Sequence, residues 1–311
     1  MSGQGGGGAK GVVRVLVEDS RGWVKTACGY VMLTKPRIIE LLLITTVPAM
    51  IVAKRGVPSL ALMAITVIGG ALAAGGANAV NMWYDRDIDA VMRRTKERPL
   101  VTGDVSPTGA LVFAVLLEVA AFVVLAVGAN LLAAEIALAA ALFYVFVYTM
   151  WLKRSTSQNI VIGGAAGAAP VLVGWAAVRD ELSLAAWLMF LVIFIWTPPH
   201  FWGLAFRYAN DYSDAGVPML PSVASKRRSA TEIVAYTVAL VLVTLALGPV
   251  AHLGLIYEAA AVLLGAGFVW YAVRLWRLLT PKAAIRVFSY SITYLSLLFV
   301  GMAVDVVVRG H

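Results

Sequence analysis

Nine apolar runs able to cross about 30 Å of hydrocarbon as helices, the first only with its flanking residues, constrain this chain more than any other feature. They fall at approximately 38–53, 60–84, 109–127, 131–152, 160–178, 184–206, 232–250, 252–273 and 288–308. Lipid offers no partner to a bare N–H or C=O, so a segment crossing it must satisfy its own backbone, as a helix does. The expected fold is all-α: a polytopic membrane helix bundle of about nine transmembrane helices. Composition agrees, since 61% of the 311 residues are hydrophobic and only 14% are charged. A mean hydropathy of +0.85 lies outside the range of water-soluble domains.

Ahead of the spans, "MSGQGGGGAKG" is Gly-rich and lacks the apolar stretch of a cleavable signal peptide. Residues 1–29 are expected to be a disordered tail and surface segment, with a surface helix within 12–35, and residues 30–311 a single transmembrane domain. The one cysteine, Cys28, excludes an intramolecular disulfide and a cysteine-based metal cage.

A net charge of +8 invites a nucleic-acid reading until the charges are placed. With the N-terminus in the cytoplasm, 21 Lys and Arg fall in cytoplasmic segments and four (Lys54, Arg55, Arg179 and Arg309) outside. The basic excess is thus the positive-inside signature of a multi-pass protein of the cell (inner) membrane, and no nucleic-acid partner is expected. The same count puts the two longest loops, 85–107 and 207–231, on the cytoplasmic face.

Those loops carry the chemistry. "NMWYDRDIDAVMRRTKERPL" (81–100) holds three aspartates and five cations directly after an apolar span. Asn81, Asp85 and Asp89 recur every four residues, so on a continuing helix they share one face, about 6 Å apart per step, while Asp87 points elsewhere. Carboxylates so close repel one another, and hard oxygens suit Mg²⁺, which fills its other positions with water and substrate phosphate. Arg93, Arg94, Lys96 and Arg98 suit the phosphate itself. A solvated juxtamembrane loop is the plainer alternative for this stretch alone. A second cluster, "RYANDYSDAGVPMLPSVASKRR", supplies Asn210, Asp211 and Asp214 on the same face, with Arg207 before it. Two acidic clusters across one mouth of a bundle would hold a metal-bound diphosphate between them.

The first stretch resembles the N-x-x-x-D-x-x-x-D motif of the intramembrane, UbiA-type prenyltransferases, a superfamily of nine-helix enzymes. "LTKPRI" (33–38), "RPLVTGDVSP" (98–107), "SQNIVIGGAAGAAPVLVGW" (157–175) and "TPPHFWGLAFRYANDYSDAGVPMLP" (197–221) are similar to its heme-modifying branch, and the likeness covers about residues 30–305. It implies transfer of the farnesyl group of farnesyl diphosphate onto a vinyl group of heme B, giving heme O on the route to heme A, with heme A synthase as a further partner. It also implies that Asn81, Asp85, Asp89 and Asp211 bind Mg²⁺ and diphosphate. Tyr212 belongs to the same "DYSDAGVPMLP" motif. The superfamily's second motif is usually D-x-x-x-D; here the acids are three apart, the form of the heme branch, which makes Asp214 secondary to Asp211.

Aromatic faces such as Tyr84, Tyr148, Trp151, Trp196 or Phe201 would shield an allylic cation, although each suits ordinary packing as well. His200, inside a span, is a heme-ligand candidate or a structural hydrogen-bonded residue tolerating a break at Pro198–Pro199. Lys153 and Arg154 suit diphosphate or heme propionates, or simply anchor the span. Three rival readings remain: a prenyltransferase acting on an aromatic quinone precursor, a secondary transporter using the helix-embedded Glu40, Glu118, Glu135 and Glu258, and a non-catalytic heme scaffold.

Overall fold

The structure, a computed structural model, describes residues 23–310, apart from the side chains of residues 37–43. The described residues form helices α1 (23–33), α2 (Pro36–Lys54), α3 (Leu60–Tyr84), α4 (Arg86–Val91), α5 (Pro99–Thr102), α6 (Pro107–Gly128), α7 (Leu131–Leu142), α8 (Lys153–Ser155), α9 (Asn159–Arg179), α10 (Leu184–Arg207), α11 (Ala209–Asp214), α12 (Leu220–Val223), α13 (Lys226–Val250), α14 (Leu255–Leu278) and α15 (Pro281–Arg309). A π-helical stretch, Phe143–Leu152, joins α7 to α8. Eight of these segments are long and apolar enough to cross a bilayer, and a shorter apolar helix, Ile44–Lys54, occupies the place of the first expected span. The Gly-rich tail and residues 12–22 of the expected surface helix lie outside the described residues.

Helix ends follow local chemistry. Ser59, Ser106, Asn130, Ser183, Ser225 and Thr280 each accept an N–H of the following first turn. The seventh and eighth runs part at Ala251–Gly254, where His252 adopts a left-handed φ of 49° and Asp305 of α15 accepts the N–H groups of Gly254 and Ile256. The turn therefore takes the beginning of the run expected at 252–273.

Small residues set the packing. Helix α3 buries Gly69, Ala73, Gly75, Gly76, Ala77 and Ala79, and α6 buries Ala110, Ala114 and Ala121. Their backbones approach closely, which replaces the hydrophobic drive that lipid cannot supply. A second, larger core joins α2, α9, α10, α13, α14 and α15. Helix α10 runs without interruption from Leu184 to Arg207, so the break expected at Pro198–Pro199 does not occur. Helix α15 supports the segment: Trp196 donates to the Ser291 carbonyl at 2.8 Å, and His200 Nδ1 lies 2.7 Å from Ser291 Oγ.

Candidate active site

Asn81, Asp85 and Asp89 do lie on one face. Helix α3 formally ends at Tyr84, yet Asp85 N–H donates to Asn81 O at 3.0 Å and Asp89 N–H to Asp85 O at 2.8 Å, so the helical pitch passes through the junction into α4. All three side chains are buried, whereas Asp87 points outward with 61% of its side chain exposed. The four-residue spacing converts directly into this division.

Each buried oxygen group is held by its own cation. Lys35 Nζ donates to Asn81 Oδ1 at 2.8 Å, Lys153 Nζ pairs with Asp85 Oδ2, and Arg98 Nη1 pairs with Asp89 Oδ2 at 2.6 Å. The Asn81 amide donates to Asp85 Oδ2 at 2.7 Å and to Thr149 Oγ1 at 3.2 Å. Asp85 Oδ1 remains buried without a hydrogen-bond partner, with Arg154 Nη2 3.6 Å away. Burying one carboxylate costs several kcal/mol unless it is paired, so Lys153 and Arg98 are what allow the two acids to sit inside the protein.

Arg98 comes from the same loop as Asp89, whereas Lys35 and Lys153 come from distant parts of the chain. Lys35 stands between α1 and α2 with a left-handed φ of 52°, followed by Pro36, a backbone state costing about 1–3 kcal/mol in a non-glycine residue. Half-buried and close to Arg98 and Lys153, its ammonium is pulled from 10.5 down to about 7, chiefly by burial. Lys153 follows the π-helical stretch, whose wider turn also brings Thr149 to Asn81. Asn159 Nδ2 donates to the Lys153 carbonyl at 3.4 Å and ties down that corner. Arg154 grips Asp87 through two 2.7 Å bonds, which hold that carboxyl down at about 2, and lies 4.9 Å from the Tyr84 ring centroid.

The two acidic loops meet through Arg94, whose Nη2 lies 3.5 Å from the Tyr212 hydroxyl. Tyr212 is buried, and burial raises its hydroxyl pKa. Asp211 is half-buried and stands outside the cation network, and no group of three His, Cys, Asp or Glu side chains among the described residues is close enough to hold a metal. Arg93, Lys96 and Asp214 are exposed, and so is Arg207, whose guanidinium lies 5.6 Å from the Tyr208 ring.

Aromatic groups line the interior nearby. Tyr148 stacks on Tyr144 at 5.3 Å and fills the space left by Gly163, where a Cβ would overlap the ring. His200 is buried in a sandwich, 4.2 Å from Trp196 and 4.6 Å from Phe288. Trp151, by contrast, is 65% exposed, which places it on the lipid side. Sequence reasoning did not single out Lys35, Thr149 or Ser291; Lys35 alone left a trace, inside "LTKPRI". Of the intramembrane acids, Glu118 keeps a buried Oε1 without a partner, Glu135 is exposed, and the side chain of Glu40 lies outside the described residues.

A membrane helix bundle with a buried Asn-Asp-Asp triad at one end is the architecture of an intramembrane prenyltransferase. The chain matches the UbiA prenyltransferase family over residues 42–299 and belongs to that family. Within it, the chain is 56% identical to protoheme IX farnesyltransferase 1 of Saccharopolyspora erythraea over 279 residues, 89% of each chain, and further curated relatives at about half identity share that name. The fold is shared with a digeranylgeranylglyceryl phosphate synthase (TM-score 0.76, 17% identity, covering 91% of this chain and 99% of the other). It is shared too with a UbiA homologue from Archaeoglobus fulgidus bound to GPP and Mg²⁺ (TM-score 0.63, 15% identity, covering 88% and 99%). Family membership makes the chain an enzyme of prenyl transfer and displaces the transporter and scaffold readings.

Proposed function

We propose that this chain transfers the farnesyl group of farnesyl diphosphate to a vinyl group of heme B, yielding heme O for oxidation by heme A synthase. The observation that carries the reading is the buried triad Asn81, Asp85 and Asp89, with one cation on each member. The curated relatives' name supports heme as acceptor.

The donor set fits Mg²⁺. Its atoms are hard oxygens, and Asp85 Oδ1 is a buried acceptor with no hydrogen bond. Asn81, Asp85, Asp89 and, from the second loop, Asp211 would hold the ion, in keeping with the GPP- and Mg²⁺-bound homologue. When bound, Mg²⁺ supplies charge neutralisation for the departing diphosphate.

The chain's own residues do the remainder. Lys35, Arg98 and Lys153 are already at the triad and supply N–H donors to phosphate oxygens, with Arg94, Arg93, Lys96, Arg154 and Arg207 at the loop edges. The C1–O bond of farnesyl diphosphate breaks, and its electron pair leaves with the diphosphate. The stacked Tyr144 and Tyr148 exclude water and offer ring faces to the allylic cation. The vinyl π pair forms the new C–C bond to C1, and the cation left beside the porphyrin takes hydroxyl from water, releasing a proton. His200, held at Ser291 between Trp196 and Phe288, orients the heme. Residues 30–311 act as a single domain, with both acidic loops on the cytoplasmic side, as the positive-inside count supports.

The test is acceptor choice. Purified protein is given Mg²⁺, allylic diphosphates of several lengths, and either heme B or an aromatic quinone precursor, and the product masses are read. A farnesylated, hydroxylated heme is expected; a prenylated aromatic acceptor with no heme product would overturn the proposal.

A further inference from the structure

The reaction uses neither α14 nor its outer face, yet that face carries a built groove. Helix α14 packs on α13 and α15, away from α3 and α4, which carry Asn81, Asp85 and Asp89. Between α13 and α14 runs a cavity of about 740 Å³, walled by Val241, Val262, Ala266 and Trp270 and ending at Arg274 and Arg277. From Val262 to Arg277 it follows the helix for about 22 Å at 1.5 Å per residue.

Its chemistry is divided along its length. The deep part is aliphatic and opens where the bundle faces hydrocarbon: Val262 is 53% and Trp270 54% exposed. The shallow end is cationic. Arg274 lies 5.3 Å from the Trp270 ring centroid, and Arg277 is exposed in the last turn of α14. Among the described residues neither arginine forms a salt bridge. That end is fixed against the start of α13, because Arg227 donates to the Trp276 carbonyl at 2.6 Å and the Trp276 indole to Thr231 at 3.1 Å. It is therefore the end of the bundle to which α10 to α12 deliver the second acidic loop.

We infer that this groove binds an anionic glycerophospholipid, with an acyl chain between α13 and α14 and the headgroup phosphate on Arg274 and Arg277. Two features select this occupant. An arginine pair that forms no salt bridge among the described residues is complementary to a phosphate, and an apolar channel beneath it accepts a chain that a free phosphate or nucleotide does not have. Zwitterionic lipid fits the channel but brings an ammonium group to the same arginines. The site is distinct from the diphosphate cradle, so its lipid is not consumed by the transfer.

The experiment is native mass spectrometry of the full chain, extracted from vesicles of equal phosphatidylglycerol and phosphatidylcholine. Wild type should retain phosphatidylglycerol selectively. Replacing both arginines, Arg274→Gln with Arg277→Gln, should abolish the selectivity, at roughly fivefold per charge removed. Ala266→Phe, which fills the groove at an exposed position, should lower retention of both lipids with the arginines intact. Lys282→Gln, an exposed cation outside the groove, should behave as wild type. Unchanged selectivity in the arginine double variant, unchanged retention in Ala266→Phe, or equal loss in Lys282→Gln would overturn the site. So would displacement of the lipid by stoichiometric farnesyl diphosphate, which would make the groove a substrate path. Circular dichroism on each preparation confirms that the helices are retained, and the groove and charge variants test the site separately.

Discussion

The Asp85 carboxylate and the Lys153 ammonium, 68 residues apart in sequence, form an ion pair in which Asp85 is fully buried and Lys153 only 15% exposed. A second ion pair, Arg98 on Asp89, and a hydrogen bond from Lys35 to the Asn81 amide oxygen complete the set and hold together carboxylates that would otherwise repel.

Replacing either acid separates the triad from its solvated neighbour. Asp85→Asn and Asp89→Asn should each lower turnover by at least about 100-fold, because the neutral amide no longer answers the cation or supplies a charged ligand. Asp87→Asn, on the outer face, should stay within a few-fold of wild type. Steady-state assays of the three variants check this ordering, and equal losses in all three would contradict it.

The Asp87–Arg154 pair makes a separate pH prediction. The Asp87 pKa is depressed from 3.8 to about 2 in the folded protein, so its stabilisation is complete above pH 3.8 and is lost as pH falls toward 2. The melting-temperature difference between wild type and Asp87→Asn should therefore be small and constant from pH 5 to pH 8. Solvent screening of a side chain that is 61% exposed keeps it small.

Cations should act on binding. Lys35→Ala, Arg98→Ala and Lys153→Ala each remove one charge-assisted donor, and each should raise the KM for farnesyl diphosphate by about 10–100-fold while leaving heme affinity unchanged. Lys35→Arg should recover only part of what Lys35→Ala loses, since its pocket fits a compact ammonium held at 2.8 Å from Asn81. Titration of both substrates on each variant measures this.

Legibility differed between these residues for a physical reason. The Asn81, Asp85 and Asp89 face was readable because four-residue spacing and helical hydrogen bonding are both local, and that bonding continues through the α3–α4 junction. Eight of the nine expected spans were readable from hydropathy, since lipid imposes a length and a composition together. Lys35 reaches Asn81 across 46 residues and through a left-handed backbone, and spacing carries no trace of either. The π-helical turn that directs Thr149 and Lys153 inward was equally hidden, because its sequence, "FYVFVYTMWL", reads as ordinary span. Pro198 and Pro199 signalled a break, but the Trp196 and His200 contacts to Ser291 hold α10 continuous.

His200 separates acceptor from donor. His200→Ala should weaken heme binding and lower transfer while leaving Mg²⁺-dependent farnesyl-diphosphate affinity intact, and Ser291→Ala should produce a milder form of the same change. Loss of both affinities would instead assign His200 to holding α10 straight. Binding titrations with a heme absorbance spectrum distinguish the two.

Farnesyl-diphosphate binding, measured by calorimetry with Mg²⁺ and again in EDTA, tests the cradle most directly. In wild type the affinity should rise at least tenfold with Mg²⁺, and in Asp85→Asn and Asp89→Asn that increment should vanish while heme still binds. Equal affinity in EDTA and Mg²⁺, or a full Mg²⁺ increment in the two variants, would contradict the assignment of Asn81, Asp85 and Asp89 as the metal–diphosphate site.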